Sequence, residues 1–327
     1  MGAVPLARVV RSGLEESVHR GYVAVCDEEG RMLASAGDPQ RATYLRSCAK
    51  PIQAAVSFAA IDEPLPDELA AVICSSHNGE AVHLRSVRKV LALGGLDATA
   101  LRTPAGLPLD PSAARRAKAP TPILHNCSGK HAGMLLGCAR AGWSRETYRR
   151  PSHPLQRRVT EAVRGVVDGG VTIGVDGCGV PVHGMPLSAI ATVYARLASP
   201  DRFGALTSHV AHATGAMRAA PYLVGGRRRV DTTLMEAVGD LVVKEGAEAL
   251  ACAVHLGAGI GIAVKVADGG ERAVGPALIA TLDQLGLLTA YDRRALRHVA
   301  APPVLGGGRP AGSIEPIVRL RGRRGRR

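Results

Sequence analysis

The chain has 327 residues, 46% of them hydrophobic but only 3% aromatic, with 39 glycines and 21 prolines. That composition supports a sizeable core built from Ala, Val and Leu, and it offers few stacking platforms for single-stranded nucleic acid. The formal charge of +13 is concentrated: the last nine residues, RLRGRRGRR, hold six arginines and no acid, and GGRRRV at 225–230 holds three more. A basic nucleic-acid-binding protein is therefore the weaker reading, because a solvated tail accounts for much of the excess.

In chain order, RGYVAVCDEEGRMLASA (20–36) reads as a hairpin whose turn glycine lies in DEEGR. Helical patterns follow at 80–96, 153–167 and 232–246, each with apolar residues at helical spacing. Strand character returns in LACAVHLGAGIGIAVKVADGGERAV (250–274), with a turn at ADGGER and a second short run after it. A helix is expected at PALIATLDQLGLL (276–288). Strands near both termini with helices between predict an α/β fold: one antiparallel sheet assembled from the chain ends, packed with a mostly helical middle lobe at about 45–225. Residues 1–315 are read as a single catalytic unit and 316–327 as a basic, disordered tail.

Seven cysteines at 26, 48, 74, 127, 138, 178 and 252 form no C-x-x-C pair and are odd in number, which favours a reducing compartment over a disulfide framework. No signal peptide and no apolar run of about 18 residues is visible, so a cytoplasmic protein without a membrane span is expected.

Four clusters carry chemistry. In YLRSCAKPIQA, Ser47 precedes Lys50 by three residues, a spacing that puts both on one face of a helix begun by Pro51. A hydroxyl and an amine at a helix N-terminus suit an activated nucleophile, although the same pattern also serves as a simple cap. CSSHNGE (74–80) follows an apolar run as a polar knot, and it reads equally well as an ordinary Asn-Gly turn. HNCSGKHAGM (125–134) packs two histidines, a cysteine, a serine and a lysine into seven residues. GVDGCGVPVHGMP (174–186) surrounds Asp176 and Cys178 with glycines that let backbone approach a ligand closely.

Together with PSHPLQ, AAPYLVGGRRRVDTTLM and GIAVKVADGGERA, these stretches resemble, in family order from about residue 15 to 315, the bacterial L-asparaginases typified by the inducible rhizobial enzymes. The resemblance implies a fold similar to serine β-lactamases and glutaminases. It also implies two Ser–Lys pairs, Ser47 with Lys50 and Ser76 with Lys265, with Ser75 an adjacent rival for Ser76. Arg46, His131 and Asp176 match residues lining the family's substrate pocket. Cys127, Lys130 and Cys178 match its zinc ligands, one zinc per chain. A homodimer is implied too.

The activity so implied is hydrolysis of L-asparagine to L-aspartate and ammonia through a serine acyl-enzyme. Ser47 would attack the side-chain amide, Lys50 would take its proton, and Ser76 would relay a proton to the departing ammonia. Another β-lactamase-like amidase or a glutaminase is the competing enzymatic reading. The NCSGKH and DGCG stretches have no task in a β-lactamase.

Overall fold

The computed structural model describes residues 2–322. The chain divides into two compact units, each assembled from separate segments. The first takes Met1–Cys48, Met185–Ser199 and Thr233–Arg327, and the second Ala49–Gly184 and Pro200–Thr232.

The first unit is built on an antiparallel sheet from both ends of the chain. Its strand order is Pro303–Gly306, Arg309–Pro316, Val4–Arg11, Leu14–Cys26, Ile260–Val266, Leu250–His255 and Leu241–Gly246. Met32–Ala36 pairs with the far half of Leu14–Cys26, so the hairpin expected at 20–36 is present, with Asp27–Arg31 as its turn. The central strands read as continuous apolar runs because both faces are covered: Val23, Ala24, Val25, Ile262, Ala263 and Val264 have no exposed surface. The helices Leu187–Arg196 and Val274–Gln284 pack on these strands. Small side chains let helix and strand approach closely, which is how a core with so few aromatics reaches high density.

The second unit is helical. Lys50–Ile61 is its centre, with every residue but Ala59 buried, and it packs against Ser128–Arg140, Pro154–Gly165 and Thr207–Ala219. Pro51 sits in its first turn, where a missing N–H is harmless. Asp67–Ile73 and Ala81–Leu93 complete the bundle around Ser128–Arg140.

Three expectations need correction. The helix drawn over 232–246 stops early: Val230–Ala237 is helical, but Leu241–Gly246 is a strand paired with Leu250–His255. Gly239 and Asp240 break the helix, and the Leu-Val-Val run is buried on the sheet, where β-branched residues pack well. The short run after ADGGER is a 3₁₀ turn, Glu271–Ala273, leading straight into the Val274–Gln284 helix. The tail begins later than residue 316: Ile317 and Val318 N–H groups donate to Leu6 O, and Arg321–Gly322 pairs with Met32–Ala36. The remaining tail residues, 323–327, lie outside the described residues.

Candidate active site

The second unit brings most of the expected residues into one buried neighbourhood. Asp67–Ile73 ends at Cys74, and the chain then turns through Ser75 and Ser76. Lys50, fully buried in the first turn of its helix, donates from Nζ to Ser76 Oγ at 2.6 Å and also to Ser75 O. The Ser75 hydroxyl is committed elsewhere, donating to Val72 O at 2.6 Å. Of the two adjacent serines, Ser76 is thus the one whose hydroxyl meets a buried amine.

His77 ties this turn to the next motif. Gly79 N–H donates to its Nδ1 at 3.0 Å, so its proton sits on Nε2, which lies 2.9 Å from Ser128 Oγ. Ser128 Oγ in turn donates to Ile123 O. Burial, reinforced by the nearby His83 and Lys50, holds the His77 imidazole neutral, with its pKa well below the ordinary value.

Ser128 opens the helix whose cap is Cys127. Lys130, one turn in, donates from Nζ to Cys178 Sγ at 3.0 Å. Cys178 is placed by a tight turn between the strands Thr172–Val175 and Pro181–Pro186. In that turn Asp176 N–H donates to Val180 O and Gly179 N–H to Asp176 O. Gly179 has φ +87°, and a Cβ there would lie 2.5 Å from the Arg149 guanidinium, so glycine is required. Cys178 Sγ also lies 3.4 Å from Asp176 Oδ2.

A hydrogen bond joins the two thiols. Hydrogen bonding from Cys178, helped by Lys50 and Lys130, outweighs burial and drives the Cys127 pKa well down; Cys178 is driven up by that same hydrogen bond and by burial. Burial alone would lower the Lys130 amine, but the Cys178 and Cys127 sulfurs and the Asp176 carboxylate together raise it. The Lys130 amine is thereby held protonated against this pair of sulfurs. His131, the next residue, faces Tyr148 OH from Nδ1 at 2.7 Å, while its buried Nε2 has no hydrogen-bond partner among the described residues.

The first unit holds the remaining three. Arg46 and Ser47 lie in the 3₁₀ turn Arg46–Ala49, which runs directly into the Lys50 helix. Arg46 adopts φ +47°, a left-handed conformation that is unfavourable for a long side chain. Lys265, on the strand Ile260–Val266, donates from Nζ to Glu248 O and Val266 O, at 2.5 and 2.6 Å. Burial lowers its pKa; Glu248 and Asp268 oppose that, and Arg41 and Arg46 add to it.

Sequence reading did not single out His77 or Tyr148 and gave Ser128 no partner, although the structure hydrogen-bonds all three within this neighbourhood. The same reading took GGRRRV as a run of charge and as part of a family-order motif without giving any of its arginines a role, whereas Arg229 donates to Ser76 O at 3.1 Å.

The sequence model of the family described as L-asparaginase II matches residues 7–316. The chain belongs to the L-asparaginase II family. It is an asparaginase, an amidohydrolase acting on asparagine. No curated protein matches its sequence. Among solved structures, a β-lactamase from Mycobacterium bovis is similar at 19% identity, covering 80% of this chain and 94% of its own, with a TM-score of 0.43. A structure titled Mglu is similar at 13% identity, covering 87% of this chain and 72% of its own, with a TM-score of 0.40. Among the described residues, no helix is long and apolar enough to cross a membrane.

Proposed function

We propose that this asparaginase hydrolyses L-asparagine through a serine acyl-enzyme in which Lys50 is the shared base. The observation that carries the reading is the fully buried Lys50 amine donating to Ser76 Oγ. Ser47, three residues before Lys50 and only partly buried, attacks the side-chain amide carbon and gives its proton to Lys50. Ser76, already on that amine, passes a proton to the departing ammonia. Water then cleaves the β-aspartyl ester to L-aspartate. Arg46 offers a cation for the substrate α-carboxylate, Asp176 a carboxylate for the α-ammonium, and the unpartnered His131 Nε2 a further polar contact. Lys265, its amine lowered by burial, supplies a second titratable group. The same Lys50–Ser76 contact favours a second reading in which Ser76 itself carries the acyl group.

Ammonia release from L-asparagine, L-glutamine and a chromogenic β-lactam tests the substrate. L-Asparagine should be the preferred substrate and the β-lactam should be untouched. Ser47→Ala should abolish turnover with the fold intact. A variant keeping a tenth of wild-type turnover would transfer the nucleophile's role to Ser76.

The chemistry of the Cys127, Lys130 and Cys178 donors fits the zinc implied by the sequence. Two soft sulfurs already contact each other, and an amine lies at hydrogen-bond distance from one of them. Among the described residues no three His, Cys, Asp or Glu side chains form a metal-binding group, and in this set the third ligand is the lysine amine. When bound, zinc supplies a fixed positive charge that displaces the protons of Cys178 and Lys130.

A further inference from the structure

The three arginines of GGRRRV belong to a strap across the Ser76 turn. Ser76 N–H donates to Val224 O and Asn78 N–H to Gly225 O, so the strap runs alongside residues 76–78. Asn78 Nδ2 donates to Arg227 O, and Glu80 accepts from Arg227 N–H at 3.1 Å and from Tyr222 OH at 2.7 Å. Burial would raise the Glu80 carboxyl, but the Tyr222 and Arg227 hydrogen bonds bring it below its ordinary value and keep it ionised. Gly226 sits at φ +115°, where a Cβ would lie 2.6 Å from Glu80 Oε1, so only glycine lets the strap lie this close. Arg228 then takes φ +62°, reversing the chain before Arg229. Arg227 and Arg228 are exposed, whereas Arg229 is half-buried and donates to Ser76 O.

Every polar group of Ser76 is consequently held from a different side. Its N–H is on the strap backbone, its hydroxyl on Lys50, and its carbonyl on Arg229. A hydrogen bond from a charged donor to a buried carbonyl stabilises the fold, but stability alone does not explain why the donor sits at this residue. What the guanidinium adds is direction: it fixes the peptide plane from which the Ser76 side chain projects toward Lys50.

We propose that Arg229 is a positioning residue of the asparaginase reaction, clamping the Ser76 carbonyl so that the Ser76 hydroxyl stays in register with Lys50. This rests on the reading of Ser76 and Lys50 as parts of the machinery. Displacements of about 1 Å in such a constellation cost up to about a hundredfold in rate. Arg229→Met, close in length but unable to donate, should therefore lower kcat at least about tenfold, with KM within about twofold and a fall in melting temperature too small to unfold the protein at the assay temperature. Arg229→Lys, which restores a donor, should recover part of the loss. Arg228→Ala removes the same charge from an exposed neighbour and should leave turnover as in the wild type.

The test that separates position from general structure is a double-mutant cycle on ammonia release from L-asparagine. In a Ser76→Ala background, Arg229→Met should add little further loss, because the group it orients is gone. Full turnover in Arg229→Met would overturn the clamp. So would equal losses in the wild-type and Ser76→Ala backgrounds, or a loss that follows the melting temperature and that Lys does not relieve. Wild-type turnover in Ser76→Ala alone would instead overturn the underlying Ser76–Lys50 reading, a result distinguishable from failure of the clamp.

Discussion

Gly129 shows how one residue sets the distance between two motifs. It is the second residue of the Ser128–Arg140 helix, and a Cβ there would lie 2.1 Å from Val72 O and 2.9 Å from Ser75 Oγ. The nearest obstacle is backbone, which cannot step aside as a flexible side chain would. One turn later Gly133 faces Ile73 side-chain atoms at 2.5 Å, so the helix and the Asp67–Ile73 segment meet through two glycines four apart. Gly129→Ala should cost on the order of 2 kcal/mol through overpacking, lowering the melting temperature by about 3 °C. It should also reduce turnover, since the displaced strand of chain leads to Ser75 and Ser76. A melting temperature and kcat both at wild-type values would mean the approach is looser than the geometry requires. Both glycines stand in the NCSGKHAGM stretch, which was singled out for its reactive side chains and not for them. That they face Val72 and Ile73 was not legible, because partners some 55 residues away leave no mark in a local pattern.

At the scale of elements, the Gly-rich turn at 176–180 and the start of the Ser128–Arg140 helix are joined through side chains: Lys130 to Cys178, and Cys127 to Cys178. The proposed zinc would turn that contact into a cross-link. Protein purified without added metal should hold about one zinc per chain by elemental analysis, as expected of a single closed site. Cys127→Ala and Cys178→Ala should each lose it. Cys138, on the same helix but pushed up to about 12 by burial, is an inert thiol, and Cys138→Ala should keep the metal. A metal-free wild type, or equal loss in all three variants, would remove the site. Elements were read from sequence where periodicity was undivided, as for the helices Ala81–Leu93 and Pro154–Gly165. The failure at 232–246 came from apolar residues on both sides of Gly239, which fit a helix and a buried strand equally well until a partner strand decides. The helix Ala290–Ala300 was passed over despite the reciprocal cap between Thr289 and Asp292, a signal present in LTAYDRRAL.

Across the whole molecule, motif order pointed to the family, but the division into units was hidden, because the segment Met185–Ser199 leaves the helical stretch without any shift in composition. What the fold buries also sets its response to acid. His183 is 1% exposed, with Nε2 at 3.0 Å from Thr160 Oγ1 and Nδ1 unpartnered. Burial first, and then the Arg164 charge, push it from 6.5 down to about 4. His77, His83, His131 and His153 are lowered as well, each chiefly by burial. A histidine whose pKa is lower in the folded state costs nothing above the unfolded value, where both states are neutral. Below about 6.5 the unfolded chain takes up a proton that the folded protein refuses until about pH 4, so stability is lost as pH falls through that window. For His183 alone the full loss is on the order of 3 kcal/mol. The urea midpoint should therefore be level from pH 8 to 7 and decline steadily between about 6.5 and 4. His183→Gln, which keeps a polar group toward Thr160 but cannot titrate, should show a shallower decline over the same range. Equal slopes for variant and wild type would remove His183 as a source of the acid sensitivity. A level midpoint down to pH 5 would mean that the buried histidines are solvated well enough to charge within the folded protein.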